Sequence, residues 1–319
     1  MDELSGGPVL DCVIIGGGPA GLTAALYLAR YNRKFAIIDN GASRAAWIPE
    51  SHNIPAFEQG IAGPEILQRQ RRHAELYGAT ISDGTVTRLK QARKQFSVCL
   101  KNSNGQSNEL RARFVLLATG VVDIEPKFGG VEDAVHQGLV RFCPICDGYE
   151  AKGKNVAVIG YGNKGLGEAI FIARTYTPTV TLLSYGKPLG LGQEEQKLLH
   201  SLGITIINEP IRTLAFSGSK LSAITGGSAT AVEFDVIYSA LGVQYRSGVA
   251  TALGAASDES GAVQVGAHSQ TTVPGLYAAG DVTQGLNQIV SGMGQAAIAA
   301  THIHNRCGVI APLRMDDPR

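Results

Sequence analysis

The sequence predicts an α/β protein with two nested Rossmann-like, three-layer ββα nucleotide-binding domains. Three observations predict it. A glycine-rich strand–turn–helix opens the chain at Val9–Tyr31, the same module returns at Asn155–Tyr176, and a Cys-x-x-Cys pair, Cys143 and Cys146, lies between them.

Val9–Ile15 is an apolar run that reads as a buried strand. Gly16-Gly17-Gly18-Pro19-Ala20-Gly21 follows as a turn, then an Ala- and Leu-rich helix from Leu22 to Tyr31. Phe35–Ile38 is the second strand and ends on Asp39. A helix from Gly63-Pro64 to about Tyr77 comes next. Thr85–Lys90, Phe96–Lys101 and Glu109–Arg113 read as antiparallel strands with a turn at Asn102–Gly105, and Phe114–Ala118 as a buried strand ending in Thr119-Gly120.

The second module repeats this order. Asn155–Ile159 is a strand, Gly160–Gly165 a glycine turn, Leu166–Tyr176 a helix and Val180–Leu183 a strand. A helix around Glu194–Leu202, a hairpin over Ile211–Phe216 and Lys220–Ile224, and a strand at Phe234–Ala240 follow. Leu276–Asp281 and a helix over about Gly294–Cys307 have no partner in the second module. They are expected to return to the first domain, giving a discontinuous domain of 1–121 and 246–319 and an inserted one of 122–245.

The composition sets limits. The chain has 319 residues, of which 44% are hydrophobic and 17% charged, enough apolar surface for packed cores and too little charge for disorder. A formal net charge of +1 gives no reason to expect nucleic acid or a membrane surface as partner. The stretch Met1–Pro8 lacks the features of a signal peptide, and no apolar run reaches the ~18 residues of a membrane span. The expected location is the cytoplasm, where paired cysteines are catalytic or metal-binding more often than structural.

In Gly16-x-Gly18-x-x-Gly21 the first glycine makes the turn, the second admits a pyrophosphate and the third lets the helix pack on the strand. The helix start then faces the phosphates, and Asp39 could accept from a ribose. Gly160-x-Gly162-x-x-Gly165 has the same logic, but its next strand ends in Ser184-Tyr185-Gly186-Lys187. Neither a ribose-binding acid nor a phosphate-gripping arginine pair is present, so a nucleotide fold without a nicotinamide is a direct competitor.

Cys143-Pro144-Ile145-Cys146 could be half a zinc site, a pair of core thiols or a redox pair. Zinc needs a second pair, and Cys12, Cys99 and Cys307 are scattered. A helix start at the pair would stabilise a thiolate. Asp147 could move a proton to or from a thiol, or simply cap a helix. Cys12, Cys99 and Cys307 read as inert. His302 and His304 face different sides of a helix end, read as solvated, so no metal is expected.

Together, Gly16–Gly21, Ala118-Thr119-Gly120, Cys143–Gly148 and Ala278-Ala279-Gly280-Asp281-Val282 resemble the low-molecular-weight thioredoxin reductase family over about Val9 to Arg306. The Cys pair precedes the second glycine turn and so falls in the inserted domain, which is specific to this branch. The resemblance implies FAD in the discontinuous domain, at Gly16, Gly18, Pro19, Ala20, Gly21, Asp39, Asn40, Arg44, Asn53, Ala118, Thr119, Gly120, Gly280, Asp281, Gln288 and Ile289. Asp281 would contact the ribitol, with Asn53 and Gln288 near the flavin. Gly160, Gly162 and Asn163 would meet a second nucleotide. Cys146 would face the flavin, Cys143 would attack a partner disulfide, and Asp147 would be the acid–base group. A thioredoxin-like or other dithiol partner, a homodimer and a rotating inserted domain are also implied.

The departures from that family bear on the electron donor. Ser184-Tyr185-Gly186-Lys187-Pro188 stands where the family has a His-Arg-Arg run, Asn40-Gly41-Ala42-Ser43-Arg44 replaces a Gly-Gly run, and Asn287 replaces an arginine. They favour a branch that works without NADPH, with one or two FAD per chain. The alternatives are an NADPH-dependent thioredoxin reductase, an oxygen-dependent dithiol oxidase and a non-enzymatic flavin-bound redox sensor.

Overall fold

A computed structural model describes residues 8–217, 220–225 and 231–308. The chain forms two compact units. One comprises 1–46, 64–121 and 245–319, the other 47–63 and 122–244. The segment Trp47–Gly63, which carries Asn53, thus groups with the unit that holds the Cys pair. Residues 1–7, the greater part of Met1–Pro8 and of its signal-peptide reading, lie outside the described residues.

The first unit is built on a seven-stranded sheet. Its path runs Ile81–Asp83, Phe35–Asp39, Val9–Ile15, Ser107–Leu117, Gln95–Lys101, Thr85–Ala92, and Leu276–Ala278 also pairs with Ser107–Leu117. Val9–Ile15 pairs in parallel with both Phe35–Asp39 and Ser107–Leu117. A strand covered on both faces must be apolar throughout, which is why this run shows no alternation. On one face the helices Pro19–Arg30 and Ile289–Arg306 pack together. Ala24 and Ala25 of the first and Ala296, Ala299 and Ala300 of the second are fully buried, and small side chains let the two axes approach. On the other face Val13, Ile15 and Ile38 share a core with Val86 and Leu89 of Thr85–Ala92, Phe96 and Val98 of Gln95–Lys101, and Ala250 and Val263.

One expected pair of strands is a single strand. Glu109–Arg113 and Phe114–Ala118 merge into Ser107–Leu117. Its first half pairs antiparallel with Gln95–Lys101 and its second half in parallel with Leu276–Ala278. Nothing in the sequence between the halves breaks a strand; only the partners change. The last helix also begins earlier than expected, at Ile289. Within it Gly292 lies close against Gly280, whose Cα would be 3.1 Å from an added Cβ, while Gly294 has open space around it.

The second unit has a parallel sheet in the order Thr205–Ile207, Val180–Leu183, Val156–Ile159, Val236–Ser239, Val140–Arg141. An antiparallel sheet of Ile211–Ser217, Lys220–Thr225 and Val232–Phe234 lies in the same unit. The expected strand at Phe234–Ala240 is therefore divided: Val232–Phe234 joins the antiparallel sheet and Val236–Ser239 the parallel one. The helix Gly162–Thr175 includes the glycine turn itself, earlier than its apolar periodicity suggests. Among the described residues no helix is long and apolar enough to cross a membrane.

Candidate functional site

In the first unit the glycine turn is fixed by collisions that only glycine avoids. Gly16 has φ +108°, and a Cβ there would meet the Ala118 carbonyl; a Cβ on Gly21 would run into the Gly16 carbonyl. The turn delivers the helix Pro19–Arg30, with Gly18 as the flanking residue before it and Pro19 in the first helical position. No side chain caps this helix start. Its N-terminal donors suit a diphosphate, which is the fit FAD requires at this turn.

Asp39 lies beside the turn. It accepts the Gly17 N–H at 3.0 Å and the Arg71 guanidinium at 3.2 Å, and is almost fully buried. Asn40 accepts the Ala42 N–H at 3.2 Å and shapes the next loop. Arg44 is paired with Asp281 at 3.0 Å. The Gly280 N–H donates to Gln295 at 2.8 Å, which ties the Gly280-Asp281 turn to the last helix. Thr119 donates its hydroxyl to the Arg246 carbonyl at 2.7 Å, and the Arg246 N–H returns to the Gly120 carbonyl at 3.1 Å. Gln288 is the residue before the last helix and Ile289 its first. Asn53 lies in the other unit, where it accepts from Ser51 at 3.0 Å.

In the second unit the turn Gly160–Gly165 is equally tight, since a Cβ on Gly160 would lie 2.7 Å from the Gly165 Cα. Tyr161 precedes the helix without a side-chain cap. The Lys187 ammonium sits 3.9 Å from the centre of the Tyr161 ring, a cation–π contact. Tyr185 takes φ +63° in the segment where a Rossmann fold reads the ribose.

Cys143 and Cys146 form a disulfide, with Cα atoms 5.3 Å apart. Cys143 precedes the one-turn helix Pro144–Asp147 and Pro144 starts it, so the short helix holds both sulfurs on one side of a tight turn. Asp147 ends this helix and does not cap its start, which corrects that reading. Its carboxyl is half-buried. The Tyr238 hydroxyl donates to its Oδ1 at 2.9 Å and also reaches its main-chain carbonyl at 3.0 Å. Arg141 donates to the same carbonyl at 2.7 Å and lies 4.0 Å from Oδ1. Burial pushes the Asp147 carboxyl up to about 6, against the Arg141 charge and the Tyr238 hydrogen bond, while Glu150 adds to the rise. A carboxyl in that range can donate and accept protons near neutral pH.

The Cys12 and Cys307 thiols keep their protons. Burial pushes Cys12 far up and Cys307 up to about 11, and Cys99 is half-buried. His302 and His304 are not at a solvated end. His302 meets the Tyr277 hydroxyl at 2.8 Å and stacks on His268, and His304 accepts from Arg33 at 3.0 Å. Both rings therefore fill packing roles on the helix. Among the described residues no group of His, Cys, Asp and Glu could hold a metal ion. Arg71, Arg141 and Tyr238 are the functional neighbours that sequence reasoning missed. Arg141 alone offered a signal, as a cation two residues before the Cys pair.

Residues 10–299 match the pyridine nucleotide-disulphide oxidoreductase family. The thioredoxin reductase of Bacillus subtilis (strain 168) is 27% identical over 311 residues, covering 93% of this chain and 94% of its own. The crystal structure of thioredoxin reductase from Streptococcus pyogenes MGAS5005 superposes with a TM-score of 0.84 at 25% identity, covering 94% of this chain and 98% of that one. The atypical thioredoxin reductase TRi from Desulfovibrio vulgaris Hildenborough is 29% identical, with a TM-score of 0.50 over 92% of this chain and 96% of its own.

Proposed function

The chain belongs to the pyridine nucleotide-disulphide oxidoreductase family, and from that premise we propose that it passes electrons between FAD and the Cys143–Cys146 pair, and on to a dithiol/disulfide partner, without NADPH as donor. One observation carries the reading: the Cys143–Cys146 disulfide is followed directly by a half-buried carboxyl poised near neutral pH.

FAD, when bound, supplies a two-electron carrier for the disulfide. Gly16, Gly18 and Gly21 would admit its diphosphate, and Asp39 and Asp281 would orient its polar parts. The unit that contains these residues is the proposed FAD-binding domain, and the unit with the Cys pair is the inserted one. In the reduced pair the Cys143 thiolate attacks one sulfur of a partner disulfide. A Cys143–partner bond forms, the partner's own disulfide breaks, and its leaving sulfur takes a proton. The Cys146 thiolate then attacks the Cys143 sulfur, restores the disulfide and expels the second partner thiolate. Asp147 moves the protons that accompany these steps.

Support for a donor other than NADPH comes from the second turn. Lys187 is engaged with Tyr161, and the loop Ser184–Lys187 offers no arginine pair for a 2′-phosphate. A second FAD at Gly160, Gly162 and Asn163 is part of the proposal, as are a homodimer, a cytoplasmic location and a thioredoxin-like partner. The relatives support the partner class, two of them being named thioredoxin reductases without qualification. The test is an anaerobic dithiol titration followed by the flavin spectrum. The parent is expected to respond, and Cys146→Ser to lose the response; a variant that responds like the parent breaks the proposed thiol–flavin link.

A further inference from the structure

Asp147 is held by two side chains that the strand pairing places side by side. Val236–Ser239 and Val140–Arg141 run in parallel, with Tyr238 opposite Arg141 in register. Neighbours in register project from the same face of a sheet. Both side chains reach the C-terminal residue of the short helix that carries the Cys pair. Tyr238 gives its hydroxyl to the Asp147 carboxyl at 2.9 Å. Arg141 bridges the Gly138 and Asp147 carbonyls at 3.0 and 2.7 Å and contributes its charge from 4.0 Å.

We propose that Tyr238 is a positioning residue for the acid–base step: its hydroxyl fixes the Asp147 carboxyl beside the Cys143–Cys146 pair and, with Arg141, favours the ionised carboxylate. The proposal rests on the reading of Asp147 as the group that serves the pair. Tyr238 is fully buried, and burial and the neighbouring carboxylate push its own ionisation far up, so the phenol remains a donor at every working pH. Three groups face the carboxyl. Tyr238 and Arg141 stabilise its charge, and Glu150 opposes it. A hydrogen bond to the charged form favours that form, so removing the hydroxyl raises the pH at which Asp147 ionises.

The pair itself provides a readout that needs no turnover. Dithiothreitol reduces the disulfide: one thiolate bonds to one sulfur, the Cys143–Cys146 bond breaks and the departing sulfur takes a proton; the second dithiothreitol thiolate then breaks this mixed disulfide, closing its own cyclic disulfide and freeing the other cysteine, which takes a proton in turn. Alkylation and mass measurement count the thiols released in the full-length protein, with the rate followed from pH 5 to pH 8. In the parent the profile is expected to carry an inflection near Asp147's value of about 6. In Tyr238→Phe the inflection is expected to move up by about one pH unit, the equivalent of one ordinary hydrogen bond. Asp147→Asn should lack it.

A Tyr238→Phe profile that overlays the parent while Asp147→Asn loses the inflection overturns the role of Tyr238 alone. An inflection that persists in Asp147→Asn overturns the acid–base reading as well. The infrared carbonyl band of the protonated carboxyl, assigned by its loss in Asp147→Asn, titrates the group directly. Arg141→Gln provides a second variant in case Tyr238→Phe folds poorly, and its band is likewise expected to persist to higher pH. A band that titrates as in the parent in both variants overturns the proposal.

Discussion

Asp39 accepts the backbone N–H of Gly17 at 3.0 Å. The acid that ends the second strand is thereby fastened to the turn that ends the first. Its other oxygen takes the Arg71 guanidinium at 3.2 Å. The carboxylate thus shapes the turn in addition to any contact it makes with a ribose. Asp39→Ala is expected to lower FAD retention about tenfold, the effect of losing one charge-assisted hydrogen bond. The ratio of flavin to protein absorbance after dialysis measures it.

Gly16→Ala should damage the fold itself. Its φ of +108° costs an L-residue on the order of 1–3 kcal/mol, and the new Cβ would also meet the Ala118 carbonyl. Thermal unfolding should show a clear drop in melting temperature. Gly41→Ala, with φ +75° but open space around it, should cost less.

The Asp147 carboxyl also links stability to pH. Its folded-state value of about 6 lies above the usual 3.8, so folding favours the protonated form. The resulting stabilisation is complete below about pH 4 and is lost as pH rises through 6. Asp147→Asn has no proton to lose. The melting temperature of this variant relative to the parent is therefore expected to rise between pH 4 and pH 7.5. In turnover with a disulfide partner the same variant should slow by about a hundredfold, a typical loss for a general acid–base group.

NADPH is expected to be a poor donor. An anaerobic titration at micromolar NADPH should leave the flavin oxidised over the time in which a dithiol changes its spectrum. Rapid bleaching would instead place the chain with the NADPH-dependent reductases. Extracting the flavin and counting FAD per chain addresses the second turn separately.

Much of this architecture is legible in the sequence because its signals are local. Gly16–Gly21 and Gly160–Gly165 each follow an apolar run and open a helix, and the Cys pair is visible as four residues. The neighbours of Asp147 are not legible in that way. Tyr238 lies 91 residues from Asp147 and reaches it through strand pairing, while its sequence context is an ordinary buried strand. Arg71 reaches Asp39 from 32 residues away on an amphipathic helix whose charged residues all look like surface. The strand Ser107–Leu117 reads as two in the sequence for a related reason: a change of partner leaves no mark on the chain that changes it.

The central claim is that the flavin and the Cys143–Cys146 disulfide exchange electrons. An anaerobic reductive titration tests it, with dithionite supplying the flavin and electron uptake counted per chain. The parent should take up two electrons more than Cys143→Ser/Cys146→Ser, the stoichiometry of one disulfide, whatever the number of flavins. Equal uptake by the two proteins would contradict the account.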